Sequence, residues 1–216
     1  MLRPLLITSL LSVCGLANAD IITFDEIPAA EAITTSVDSG GYHFTSNHMH
    51  TYGCGHWDLV ASNGTTHLGY ESGRGAPITM TRQDGGVFSL LSLDASEFYP
   101  NSGGDRPNAE ILRIVGTFLD GTSATYELFL DGLTDGTGGV VDFQHFSLPS
   151  VFTNVVSIVF TGWRFEGRDG GVAIDNLEVI NGLVGGNEPA NVPEPATLAL
   201  FGLGLIGMGA ARRRKA

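Results

Sequence analysis

Ala109-Glu110-Ile111-Leu112-Arg113-Ile114-Val115-Gly116-Thr117-Phe118, then Leu119-Asp120-Gly121-Thr122-Ser123, then Ala124-Thr125-Tyr126-Glu127-Leu128-Phe129-Leu130 is the stretch that decides the fold. β-branched and aromatic residues stand on both sides of an Asp-Gly pair, the composition of two strands folded back on a turn. The pattern recurs along the chain. Strands are expected at Ile21 to Asp25, Tyr42 to Ser46, Trp57 to Ala61, Pro77 to Arg82, Val87 to Leu93, Val140 to Phe146, Val155 to Phe160 and Val172 to Ile180. Between them lie turn clusters such as Ser39-Gly40-Gly41, Asp84-Gly85-Gly86, Asp131-Gly132 and Asp169-Gly170-Gly171. No segment between the termini sustains a 3.6-residue apolar period. Many short strands with regular turns predict an all-β, antiparallel two-sheet sandwich of jelly-roll type.

The termini differ from this pattern. Arg3, the apolar stretch Leu5 to Val13 and Ala17-Asn18-Ala19 have the order of a secretory signal peptide over residues 1–19, with cleavage expected after Ala19. Residues 20–181 then form the domain, and 182–191, rich in Gly, Asn and Pro, read as a flexible linker. Residues 192–216 begin with Val192-Pro193-Glu194-Pro195, continue through an uncharged apolar run at 196–211 and close on Arg212-Arg213-Arg214-Lys215. The run is shorter than the roughly 20 residues of a comfortable bilayer span, and the basic cluster would stay on the cytoplasmic side. A signal helix and a transmembrane helix are therefore expected to flank the sandwich.

Those last residues resemble a PEP-CTERM sorting signal. The resemblance implies secretion machinery and an exosortase as partners, a transient stay in the inner membrane, and delivery to the cell surface or extracellular matrix. It covers only the terminal 25 or so residues and says nothing about the work of the domain.

Between Asp20 and Asn181 there are six Arg and no Lys against 21 Asp and Glu, a formal charge of −15. Such a surface repels nucleic acid and anionic headgroups and draws divalent cations. Once the signal peptide is removed Cys54 is the sole cysteine, so no intrachain disulfide forms and stability rests on the core, with a bound ion as a further source.

Three constellations carry chemistry. Phe24-Asp25-Glu26 and Ile174-Asp175-Asn176-Leu177 lie on the first and last strands, which a jelly roll sets side by side, so Asp25 and Asp175 are expected to meet and to share a cation or raise each other's pKa. The domain is similar in pattern to jelly-roll domains of PEP-CTERM proteins and, distantly, to carbohydrate-binding modules. That similarity implies a structural calcium at such terminal acids, and the hard-oxygen chemistry suits it. The second constellation is His43 to Trp57, where His48 and His50 share one side of a strand and His50, Cys54 and His56 meet across a Gly-flanked turn, offering N and S donors to a transition metal. The third is aromatic: Trp57 and Trp163, with several Tyr, are platforms on which sugar rings of an exopolysaccharide could stack.

For catalysis the chain offers no Gly-x-Ser-x-Gly elbow, no His-Glu-x-x-His pair and no phosphate loop leading into a helix. Thr79-Met80-Thr81 stands alone, and no ordered threonine array of the kind an ice-binding face uses is legible. The expectation is an exported, non-enzymatic surface or matrix protein, calcium-stabilised. Its rivals are a carbohydrate-binding module acting on exopolysaccharide and, behind it, a glycan hydrolase with two facing carboxylates.

Overall fold

A computed structural model describes residues 19–28, 30–52, 61, 63–70, 77–99, 107–133 and 142–182. All of them lie in one compact unit, Asn18–Gly186. Eleven strands are described: β1 (Asp20–Ile22), β2 (Ala30–Ser39), β3 (Tyr42–Tyr52), β4 (His67–Tyr70), β5 (Ile78–Arg82), β6 (Phe88–Glu97), β7 (Ile111–Phe118), β8 (Ser123–Phe129), β9 (Gln144–Ser147), β10 (Val155–Trp163) and β11 (Val172–Asn181). A 3₁₀ turn, Ser150–Phe152, precedes β10. Every strand pairing is antiparallel.

The deciding stretch folds as its composition dictates. Ile111 to Thr117 pair with Phe129 to Ser123 in unbroken register, and Gly121 at φ +81° closes the turn where a Cβ would be strained. Leu112 and Ile114 of β7 and Leu128 of β8 point into the core, while Arg113, Glu127 and Phe129 point out. β8, β7, β10, β5, the first half of β3 and β2 form one side of the domain. The second half of β3 continues into β4, β11, β6 and β9 on the other, with β1 added beside β11.

The open jelly-roll sandwich expected above is replaced by a closed barrel. β10, β5, β3, β4, β11 and β6 form a ring of six, because Val155 at the start of β10 also pairs with Phe88 at the start of β6. The other corner is turned by β3 itself. Its pairing with β2 shifts register between Thr45 and Met49, and its core-facing residues change from Tyr42 and Phe44 to Met49 across that irregularity. Such a bulge bends one long strand from one side to the other. Sequence reading also shortened β3 and missed β2 and β4. The strand expected from Trp57, the signal helix and the transmembrane helix lie outside the described residues.

The core gathers large apolar side chains from both sides. Phe24 meets Phe44 edge to face at 5.0 Å, and Tyr42 meets Phe88 at 5.1 Å. Each fully buried ring of this kind contributes about 1.5–3 kcal/mol. Tyr42 keeps its hydroxyl satisfied through Asn181 Oδ1 at 2.8 Å, joining β3 to the end of β11. A second, smaller cluster of Ala61, Phe98, Tyr99 and Ala173, with Phe143 against it, lies apart from this core.

Candidate functional site

β11 carries alternating apolar residues that seat Val172 and Ile174 in the core, so Ala173 and Asp175 are turned to the opposite face. There Asp175 is fully buried. Asn63 Nδ2 and Thr65 Oγ1 donate to its Oδ2 at 2.6 and 3.0 Å, and the Asn176 amide donates to Oδ1 at 2.8 Å. Burial pushes its carboxyl up to about 6, these three donors pull it back, and the Asp25 charge adds to the upward push. Asp25 is exposed and accepts the Thr66 amide at 3.2 Å. One short segment, 63–66, thus holds both acids, as the side chains of Asn63 and Thr65 and the backbone of Thr66 divide between them.

Backbone conformation aims the two carboxylates. Phe24 precedes Asp25 at φ +58° and Asn176 follows Asp175 at φ +48°, both in the left-handed region. Asn accepts that region readily, while Phe pays for it and is held there by its packing on Phe44. The register of β11 against β6 breaks after Asp175, and Asp94, paired opposite it, accepts Asn176 Nδ2 at 2.7 Å and faces His145 Nδ1 at 2.8 Å.

The Asp175 carboxylate, the Asn63 amide and the Thr65 hydroxyl meet, and Asp25 lies near enough for its charge to act on Asp175, a set of oxygens of the kind a hard cation prefers. Both Asp175 oxygens already accept N–H or O–H donors, so the seam also closes without an ion. Among the described residues no group of three or more His, Cys, Asp or Glu converges on a metal position.

The histidines expected to share a side do so. His48 and His50 are buried, with Nε2 atoms 3.2 Å apart and rings edge to face. Two nitrogens on one tetrahedral ion at ~2.0–2.1 Å would be separated by about 3.3 Å, so the pair has the bite of a metal chelate as well as of an N–H···N hydrogen bond. Cys54 and His56 lie outside the described residues. His67, opposite Tyr52 in β4, is buried against Phe143 at 5.1 Å, and desolvation pushes it down to about 4.

Trp163 ends β10 on the outer side of the barrel, half-buried, with the Arg113 guanidinium 4.7 Å from its ring centroid. Arg113 is itself fixed by Glu127 through Nε at 2.9 Å and a second nitrogen at 2.8 Å. Trp57 lies outside the described residues. Sequence reading missed Phe129 and Phe165, 61% and 69% exposed and stacked at 6.3 Å beyond Trp163. Phe129 falls on the outward phase of the β8 alternation, a signal already in the sequence, whereas Phe165 is placed by a turn held through its amide to Glu110 Oε2 at 2.6 Å. Also missed was Glu97, 3% exposed, whose Oε1 accepts the Gly132 amide at 2.6 Å while burial raises its pKa.

The PEP-CTERM protein-sorting motif matches residues 191–215. The chain is therefore an exported, sorted protein, anchored in the membrane before processing. Among the described residues no helix is long and apolar enough to cross a membrane, and the apolar run at 196–211 lies outside them. No curated protein matches the chain. Among solved structures it is similar to a family 29 carbohydrate-binding module complexed with mannohexaose, at 14% identity over 76% of this chain and 92% of that one, TM-score 0.41. It is also similar to the K2 cleaved adhesin domain of Lys-gingipain, at 11% identity over 76% and 98%, TM-score 0.44. An arabinose-bound α-L-arabinofuranosidase matches at 14% identity over 77% of this chain but 27% of its own, TM-score 0.37. At these identities and scores the likeness does not reach to a ligand or an activity.

Proposed function

We propose that this chain is a non-enzymatic cell-surface or extracellular-matrix protein, a strongly acidic β-domain delivered by exosortase processing of its terminus. The observation that carries the reading is the sorting motif at 191–215 joined to a domain whose buried carboxylate, Asp175, is engaged in holding strands and loop together. An acid committed to three internal donors is a structural element. Fractionating cells and weighing the mature protein tests delivery: a mass that ends near residue 195 supports it, and a retained 196–216 tail overturns processing.

Calcium belongs to this proposal at Asp25 and Asp175, where Asn63 and Thr65 supply further oxygens. A rise in melting temperature with calcium, reversed by chelator and absent in Asp25→Asn, supports the ion. A transition metal on His48, His50, Cys54 and His56 is supported by the converging imidazoles, and metal analysis of wild type against His50→Ala tests it.

A second reading, recognition of exopolysaccharide, is favoured by one observation: Trp163 stands half-exposed on the outer face beside two exposed phenylalanines. A glycan array separates it from a purely structural role, since uniform absence of binding leaves the structural role alone.

A further inference from the structure

The outer faces of β8, β7, β10, β5, β3 and β2 line up in rows across the sheet. One row runs Thr125, Val115, Val159, Thr79, Thr45, Ser36, each directly opposite the next in register. None of the six is buried and none is charged. At ~4.8 Å between strands the row is about 24 Å long. The next row on one side ends in Asp38 opposite His43, which contact at 2.5 Å, and on the other side Glu127 faces Arg113. Asp38 is engaged by the His43 ring and Glu127 by Arg113, so a lane of hydroxyls and methyls crosses a domain that otherwise carries −15.

One row further, Phe129, Ile111 and Trp163 stand side by side on three adjacent strands, and Phe165 stacks on Phe129. The lane therefore has an aromatic border. Flat aromatic faces favour the C–H faces of pyranose rings, and threonine and serine hydroxyls both donate to and accept from sugar hydroxyls.

Charge decides between occupants. A polyanion, whether nucleic acid or acidic glycan, is repelled by the domain as a whole. A second copy brings its own −15 and is repelled in the same way. A neutral polysaccharide incurs neither penalty, and an extended chain matches a lane of this length. Resting on the carbohydrate-recognition reading, we propose that this six-strand face is the binding site for a neutral polysaccharide, with Phe129, Phe165 and Trp163 as the stacking border and the threonine row as the lane.

The experiment titrates the mature protein, residues 20–195, with a soluble neutral β-glucan, a neutral galactomannan and acidic alginate, by calorimetry and affinity electrophoresis. Wild type is expected to bind a neutral polymer and not alginate. The double variant Phe129→Ala/Phe165→Ala should weaken that binding about tenfold, and Thr79→Glu, which puts a charge in the middle of the lane, at least as much, both with unchanged melting temperature. Neutral-polymer binding that both variants leave intact overturns this location while the carbohydrate reading stands. Binding to none of the polymers, or to alginate in preference, overturns the proposal, and the first of these outcomes takes the carbohydrate reading with it.

Discussion

On β4 and β11 the outward side chains of His67, Ala173 and Asp175 are buried, and Phe98 and Phe143 pack on that side. On β8, β7, β10 and β5 the outward side chains are uncovered, Thr125 exposed and Val115, Val159 and Thr79 half-buried. One barrel thus turns two different surfaces away from its core. The covered one has a second apolar cluster and the buried titratable groups, so it is where stability and pH dependence are set. The open one is neutral, with aromatics at its border, so it is where a partner can be met. Perturbing equivalent chemistry on the two sides should give opposite readouts.

The largest effect is expected from the ring that covers the first surface. Phe98 is fully buried and meets Tyr99 edge to face at 4.7 Å. Gly69 exists for it: a Cβ there would fall 2.6 Å from the Phe98 ring. Phe98→Ala should lower stability by about 3–5 kcal/mol in urea unfolding, and Gly69→Ala by about 1–3 kcal/mol through overpacking. A loss near zero for Phe98→Ala would mean that the covering segment is not part of the cooperative unit.

Next come the buried titratable groups. Asp175→Asn keeps the shape but sets an amide N–H₂ against one of three donors, at a cost of about 1–3 kcal/mol. The pH profiles carry the sharper distinction. Asp175 is held near 6 against an ordinary 3.8, so the folded state keeps a proton that the unfolded chain releases. Its contribution is complete below about pH 4 and is lost as pH rises through about 6. His67 is held near 4 against 6.5, so its contribution is complete above about pH 6.5 and is lost as pH falls through about 4. The two oppose each other over one window. Relative to wild type, Asp175→Asn should gain stability as pH rises from 4 to about 6, and His67→Gln should lose it. Calcium at Asp25 and Asp175 would favour the charged carboxylate, so with the ion the Asp175 contribution should drop out, leaving wild-type stability rising from about pH 4 to 6.5 through His67, and with chelator it should return. A profile indifferent to calcium leaves the seam closed by hydrogen bonds alone.

The contrast between the two faces was only partly legible in the sequence. β7 and β8 announce themselves through alternation around Asp120-Gly121, and the adjacency of the terminal strands follows from the order of elements. β4 does not, because His67-Leu68-Gly69-Tyr70 is short, contains a glycine and is buried on both faces, so it has no alternation to read. Closure of the barrel depends on the single pair Val155 and Phe88 and on an irregularity inside β3, neither of which leaves a compositional trace. At the acidic seam Asp25 and Asp175 could be named from their strands. Asn63 and Thr65 could not, since a loop residue declares a distant carboxylate partner only once folded. The row on the open face is the clearest case: Thr125, Thr79 and Thr45 are far apart in the chain and fall into one line across the sheet through register alone.

The smallest expected effect on stability is also the one that tests the comparison most directly. Phe165 is as large as Phe98 and also meets an aromatic neighbour, yet it is 69% exposed. Its removal forfeits little buried area, so Phe165→Ala should change unfolding free energy by no more than about 0.5 kcal/mol. If residue type governed, the two phenylalanines would cost alike; if the face governs, they differ by several kcal/mol in urea unfolding. A Phe165→Ala variant as unstable as Phe98→Ala would mean that the outer side is also a packed surface, and the distinction between a covered and an open face would fall with it.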